Sequence, residues 1–367
     1  MSAYGTECAA VGRSDYAQIN GGSVVHGAAS PADWTSAQPR RTRDYDRRVR
    51  NAIYSLVAAA ALTMPAVAQV KITPSADTIA IDIDGKPFTT FYMAGKDVMK
   101  PYLHPLRAAS GTYVTRMWPM EKVAEEASIA RPDHPHQRGL WFAHDSVNGL
   151  DFWNNEASYT TPNRGKIVLV KVDQVKSGKK TGSIAATFDW TGLDGHKLLT
   201  ESRVMTFYAG DKVRMMDFDI TLTPLEKVVF GDSKDGVFGI RLRPVLQEDK
   251  GAGHIENADG LKGEKDVWGK PSNWCDYWGT IDGEKVGIAI LDNPENPHHP
   301  VRWHVRAYGL FAANPFGVST FDRSLPKSPT AVEAGQTLRF RYRVIIHPDD
   351  TAGADIAGRW KQYIAGK

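Results

Sequence analysis

The chain has 367 residues, 42% of them hydrophobic and 24% charged, with a formal net charge of +3. That balance excludes a disordered or low-complexity chain, and so small a charge gathers neither nucleic acid nor anionic lipid. Cys8 and Cys275 are the only cysteines, too few for a disulfide scaffold.

In chain order, residues 1–46 mix Gly, Ser, Arg and Asp without periodicity and read as a disordered leader upstream of the true translation start. Residues 47–68 read as a signal peptide: the basic "RRVR" precedes the apolar "NAIYSLVAAAALTMPAVA", which ends in the small-residue site Ala66-Val67-Ala68. The mature protein is expected to begin at Gln69, to be periplasmic or secreted, and to form one domain over 69–367. It keeps 38 basic and 37 acidic residues and a single cysteine, Cys275. It has no second apolar run long enough for a membrane span, so neither a membrane nor a nucleic-acid partner is expected of it.

From Gln69 onward the pattern is β. Asp84-Gly85, Asp194-Gly195 and Asp282-Gly283 each sit between alternating runs and supply the positive φ angles of two-residue hairpin turns. Ala209-Gly210-Asp211 joins two long strands between Leu198 and Thr223. In "TLRFRYRVIIH" Leu338, Phe340, Tyr342, Val344 and Ile346 share one face, and Arg339, Arg341 and Arg343 the other. Only "TAGADIAGRWKQYIAG" reads as helix. These elements predict an all-β fold: a large antiparallel two-sheet β-sandwich with a short C-terminal helix.

The chemistry concentrates in "RPDHPHQRGLWFAHDSVNGLDFW", residues 131–153. His134 and His136, spaced as H-x-H, lie on one side of an extended chain, and with His144 they form the candidate ligand set for a divalent metal. The acid that a cupin-type site places four residues on is missing, because Leu140 stands there, so no cofactor is favoured. His134, His136, His144, Asp145 and, from "RWHVRAYG", His304 are the candidate acid/base groups. Sugars offer apolar ring faces and many hydroxyls, which aromatic rings flanked by forked polar groups recognise. Trp141, Trp153, Trp274 and Trp303, with Arg116, Arg138, Arg306, Asp151 and Asp276, are the candidates for that role. The stripe Arg339, Arg341, Arg343 reads either as a solvated outer face or, with Arg241 and Arg243, as part of a site for a carboxylated sugar.

The segments "KPYLHPLRAASGTYVTR", "DHPHQRGLWFAHDSVNGLDFW", "GVFGIRLRP", "NWCDYWG" and "RWHVRAYGLFAANPFG" together resemble the bacterial family known as methane oxygenase PmoA-like. Gln137 stands where that family usually has a further His. The family's name implies copper or iron oxygenase chemistry, although the mature chain has no membrane span. Its strand pattern is also similar to the galactose mutarotase-like supersandwich, where His and carboxylate groups act on a sugar. The expectation is an exported carbohydrate-active protein whose partner is a small sugar or uronate, acting as an epimerase, lyase or hydrolase. A glycan-binding protein without catalysis and a metal-dependent oxygenase are the alternatives.

Overall fold

The computed structural model describes residues 69–127 and 133–366, and the expected leader and signal peptide lie outside them. With strands numbered in chain order, two eight-stranded antiparallel sheets make up the fold. The first runs β1 (Val70–Pro74), β2 (Thr78–Ile83), β3 (Lys86–Tyr92), β4 (Tyr102–His104), β5 (Leu140–His144), β11 (Gly236–Arg241), β16 (Leu310–Asn314), β15 (Arg302–Val305). The second runs β12 (His254–Asn257), β13 (Trp274–Ile281), β14 (Glu284–Asp292), β18 (Leu338–Pro348), β9 (Arg214–Pro224), β8 (Lys197–Tyr208), β7 (Thr181–Gly192), β6 (Gly165–Lys176). A small ribbon pairs β10 (Val228–Phe230) with β17 (Thr330–Val332), and a helix closes the chain at Ile356–Ile364.

The hairpin chemistry holds at two of the three Asp-Gly sites. Asp84-Gly85 and Asp282-Gly283 both have positive φ at the two positions and turn β2 into β3 and β13 into β14. At the third, four residues separate β7 from β8 and only Gly195 is left-handed. The long pair β8–β9 falls where alternation put it.

Two-residue alternation decides what each sheet buries. Phe142 of β5 meets Phe340 of β18 at 5.3 Å between ring centroids, and Phe238 of β11 meets Tyr342 at 4.7 Å and Phe218 at 4.8 Å. These rings fix the inner face. On β18 the three arginines point the other way and are paired: Arg339 with Asp219, Arg341 with Glu295, Arg343 with Asp217. The stripe is a salt-bridged outer face, not a carboxylate site.

The residues between the inward ones line the outer face of the first sheet. Register puts Tyr102, Trp141, Gly239, Ala312 and His304 in one row across five strands. Arg241 follows on the same side of β11 as Gly239, at the strand end nearest residues 133–139. Trp153 packs onto this face: a Cβ on Gly239 would sit 2.7 Å from its ring, so only glycine admits it.

Candidate functional site

The segment Asp133–Gly139 enters β5 through a turn that closes with the Gln137 amide donating to the His134 carbonyl at 3.0 Å. Gly139, at φ +52°, is required there, since a Cβ would fall 2.0 Å from the Leu103 carbonyl oxygen. Two buried guanidinium groups hold the turn. Arg116 donates to the carbonyl oxygens of Asp133 (2.9 Å), His134 (2.7 Å) and Gln137 (3.2 Å), and to Asp133 Oδ1 (3.2 Å). Arg241 donates to the same Oδ1 at 3.1 Å and to Gln137 Oε1. Held this tightly, His134 keeps a left-handed backbone, φ +50°, which a non-glycine residue adopts only when its surroundings enforce it.

That clamp builds an Asp–His dyad. His134 Nδ1 donates to Asp133 Oδ2 at 2.7 Å, which fixes the tautomer and leaves the Nε2 lone pair free. Nε2 has no partner among the described residues, and the side chain is 41% exposed. Burial acts to raise the Asp133 pKa, but the His134 hydrogen bond and the charges of Arg241 and Arg116 outweigh it. They hold the carboxyl well below the usual carboxylate range. The Tyr308 ring lies parallel to the His134 ring, 3° apart in plane and 5.5 Å between centroids, and props it in position. The Arg241 and Arg306 guanidinium carbons lie 4.5 and 5.6 Å from the same Tyr308 centroid.

His136 stands edge-on to His134 at 5.5 Å, and its Nδ1 shares a hydrogen bond of 2.9 Å with the Tyr159 hydroxyl. Its Nε2 is buried and unpartnered among the described residues. Burial, helped by the nearby charge of Lys100, pushes its pKa down to about 2, so the ring is neutral at any working pH. Lys100 is itself enclosed, donating to the Trp153 carbonyl at 2.8 Å and to Asn155 Oδ1 at 2.6 Å. Burial brings its pKa down to about 7 against the pull of Glu156 and Asp151.

The structure brings some of the expected residues together and separates others. His134, His136 and Arg116 meet as described, whereas Arg306 reaches only the Tyr308 ring and is paired with Glu264 at 2.6 Å. The H-x-H pair is not the expected extended ligand pair, because the turn at Pro135–His136 and the left-handed His134 set the rings edge to face. Arg138 is a fork on Glu156 (Nε to Oε2 3.0 Å) rather than a clamp open to substrate. Asp151 ties down its own loop, accepting from the amides of Trp153 and Asn154.

His144 alternates with Ala143 and so faces the core with Phe142, its ring 5.1 Å from Phe316. Its Nε2 donates to the Gly231 carbonyl at 2.8 Å. Asp145 accepts from Ser233 Oγ at 2.6 Å. His304 does share the outer face, but its Nδ1 donates to the Lys234 carbonyl at 2.8 Å, and Trp268 and Phe321 pack edge-on against it. All three hold the segment 231–235.

The tryptophans are corrected most. Trp141 and Trp153 pack on each other and are buried, so neither ring offers a face to a ligand. Trp303 points into the core and donates to the Ser272 carbonyl. Trp274 and Asp276 alternate with the inward Cys275 and Tyr277, which places them on the outer face of the second sheet. There Asp276 accepts from His347 and Thr351. They belong to the opposite side of the sandwich. As a metal set, His134, His136 and His144 do not fit, because His144 lies on the other face of β5 with Nε2 already spent. Among the described residues no group of three or more His, Cys, Asp or Glu side chains is arranged to hold a metal ion.

Tyr308, Tyr159, Gln137 and Lys100 are the site residues that sequence reasoning missed; Arg241 was read as one of several basic residues of a carboxylate site, not as the clamp on Asp133 and Gln137 that the structure shows. Tyr308, in the turn between β15 and β16, and Arg241, at the end of β11, lie about 165 and about 97 residues beyond β5 in the chain, and only sheet order joins them to the turn. The one available signal was "RAYG", an aromatic beside Arg306 in a tight turn.

Fold and site together define a large antiparallel β-sandwich with a clamped Asp–His dyad at one end of a sheet's outer face. The chain belongs to DUF6807, a family of unknown function whose pattern matches residues 78–361. No curated protein matches it. Among known structures it is similar to a galactose mutarotase-like protein from Lactobacillus casei, with 8% identity, 76% of this chain and 100% of that one covered, and a TM-score of 0.35. A galactose mutarotase related enzyme from Lactobacillus acidophilus gives 9%, 77%, 98% and 0.33. A GH36 alpha-galactosidase from Geobacillus stearothermophilus gives 10%, 77%, 40% and 0.35, so the chain spans 40% of that enzyme's length. The galactose mutarotase-like resemblance is one of fold; at these scores it carries no argument about chemistry. The PmoA-like resemblance rests on the motifs alone.

Proposed function

We propose that this chain is an exported carbohydrate-active enzyme that moves a proton on a sugar or uronate, with His134 as the base. The observation that carries the reading is the dyad: a carboxylate kept ionised, a fixed tautomer, and a free Nε2 on an exposed ring. This is the arrangement of a general base with its orienting group. His134 Nε2 takes a proton from the carbon next to a carboxyl or carbonyl group, and Asp133 balances the imidazolium that forms. The electron pair passes into the neighbouring C=O group. Return of a proton to the other side gives the epimer, and loss of a β-leaving group gives the unsaturated product.

Hydrolysis by two carboxylates has less support. Such enzymes need an acid and a base or nucleophile flanking the bond, and here Asp133 is bound by two arginines and His134 while Glu156 is bound by Arg138. An oxygenase has less still, since the three candidate histidines do not converge.

The test is a panel of hexoses, hexuronates and their oligomers, incubated with the full chain in D2O and followed by proton NMR. Loss of a C–H signal with the wild type, abolished in His134→Ala, is the expected result. A chain that binds a sugar but exchanges no C–H proton, with binding intact in His134→Ala, is a glycan-binding protein and the proton-transfer reading is wrong.

A further inference from the structure

Beyond the dyad, the loop that follows β5 holds an open cleft of about 430 Å³ lined by Asp151, Asn154, Ser158, Tyr159, Thr160 and Thr161. Its size is that of a small-ligand site. Its lining is hydroxyl and amide groups, one carboxylate and one aromatic ring, with no basic side chain. The hydroxyls of Ser158, Thr160 and Thr161 make no hydrogen bond to the described residues.

The walls are fixed in advance. Asp151 accepts two backbone amides and the Asn154 side chain, Arg138 forks Glu156, and Arg164 donates to the Thr161 and Glu156 carbonyls at 2.9 Å each. Such a site loses little entropy when a ligand enters.

The cleft also connects to the dyad. Tyr159, in its wall, is hydrogen-bonded to His136, with ring centroids 5.9 Å apart, and His136 abuts His134 at 5.5 Å. Two ring spacings therefore separate the cleft from the base.

We propose that this cleft is a subsite for a neutral sugar residue, so that the substrate is a saccharide of at least two units. One unit sits on Tyr159, and its neighbour is presented to His134. The inference rests on the carbohydrate reading above and sharpens it. An aromatic ring beside unspent hydroxyls is the chemistry that recognises a pyranose, and a lone carboxylate without a cation excludes an anionic unit there. The reacting unit belongs to the dyad, where Arg241 and Arg306 lie against the Tyr308 ring, Arg241 already paired with Asp133 and Arg306 with Glu264.

Calorimetric titration of the full chain decides it, using galacturonate, glucose and galactose, and the disaccharides and trisaccharides built from them, including uronate–hexose pairs. A uronate–hexose disaccharide is expected to bind about tenfold or more tighter than the uronate alone, and tighter than the diuronate. Ser158→Trp and Thr160→Trp, which fill the cleft, are expected to bring that ratio near one.

Equal binding of monomer and dimer by the wild type overturns the subsite and leaves the carbohydrate reading standing. A preference for the dimer that survives in both variants also overturns it, since the second unit then binds elsewhere. No binding of any saccharide by the wild type overturns both.

Discussion

Strand β5 is flanked by two adjacent Asp/His pairs, Asp133-His134 before it and His144-Asp145 at its end, and the fold treats them in opposite ways. In the first, the side chains bond to each other at 2.7 Å, arginines keep the acid ionised, and the imidazole reaches solvent. In the second, the nearest atoms are 3.8 Å apart and each residue is spent on the segment 231–233, His144 on a carbonyl and Asp145 on a hydroxyl. Burial brings His144 down to about 4 and raises Asp145 to about 7, so the ion pair that composition suggests is not formed at neutral pH. The same two residue types give an exposed imidazole with a free Nε2, the proposed base, where a cation network supports the acid, and a loop anchor where the core surrounds the histidine.

The largest effect that would break this contrast is on catalysis. Asp133→Asn removes the charge that balances the imidazolium and is expected to slow turnover of a saccharide substrate by about 10²- to 10⁴-fold, read as kcat. Equal turnover in the variant would reduce Asp133 to an anchor like Asp145.

Arg241→Ala comes next. It leaves the buried Gln137 side chain without its partner and a cavity where the buried Arg241 side chain lay, and unfolding by urea is expected to show a loss of about 3–5 kcal/mol. A loss under about 1 kcal/mol would mean that Arg116 alone holds the turn.

His144→Ala is expected to lose about 2–4 kcal/mol, from the cavity beside Phe230 and Phe316 and from an unpaired Gly231 carbonyl. Turnover per folded molecule should stay near wild type. A stable variant with no activity would move His144 back among the catalytic groups.

Much of the fold was legible because alternation and turn chemistry are local. The β18 pattern assigned Phe340 and Tyr342 to the core and its arginines to the surface, and two Asp-Gly turns formed as their φ requirements demand. The site was legible only where it is contiguous. His134, His136 and Arg116 were found, yet the extended geometry assumed for H-x-H failed because Arg116 and Arg241 pull the turn into a left-handed His134. Sheet order, which sequence does not display, carries Tyr308 and Arg241 to the dyad and sends Trp274 and Asp276 to the far side. The tryptophans misled for a related reason. Polar neighbours in sequence marked them as exposed, whereas in a sandwich a residue between two polar ones still points inward when its parity is right, as Trp303 does between Arg302 and His304.

The smallest predicted effect sharpens the comparison without touching activity. Burial raises the Asp145 carboxyl to about 7, opposed by its bond from Ser233 and aided by Asp235 and Asp151, with Lys234 pulling it back down. Its pKa in the folded chain therefore lies above the unfolded value near 4, and the folded state holds the extra proton between those limits. The stability this contributes is fully present below about pH 4 and is lost as pH rises through 7. Asp145→Asn keeps the acceptor for Ser233 and removes the titration. Relative to wild type it should gain on the order of 2 kcal/mol between pH 4 and pH 8, measured as the difference in urea midpoints at the two pH values. Asp133→Asn, compared with wild type between about pH 2 and pH 4, should change with the opposite sign, losing relative stability as pH rises, because Asp133 is held below its unfolded value and the stability its charge contributes is present above about pH 4 and lost only in stronger acid. If the two variants moved in the same direction with pH, the distinction between an ionised orienting acid and a buried neutral one would fall, and with it the assignment of His134 rather than His144 as the base.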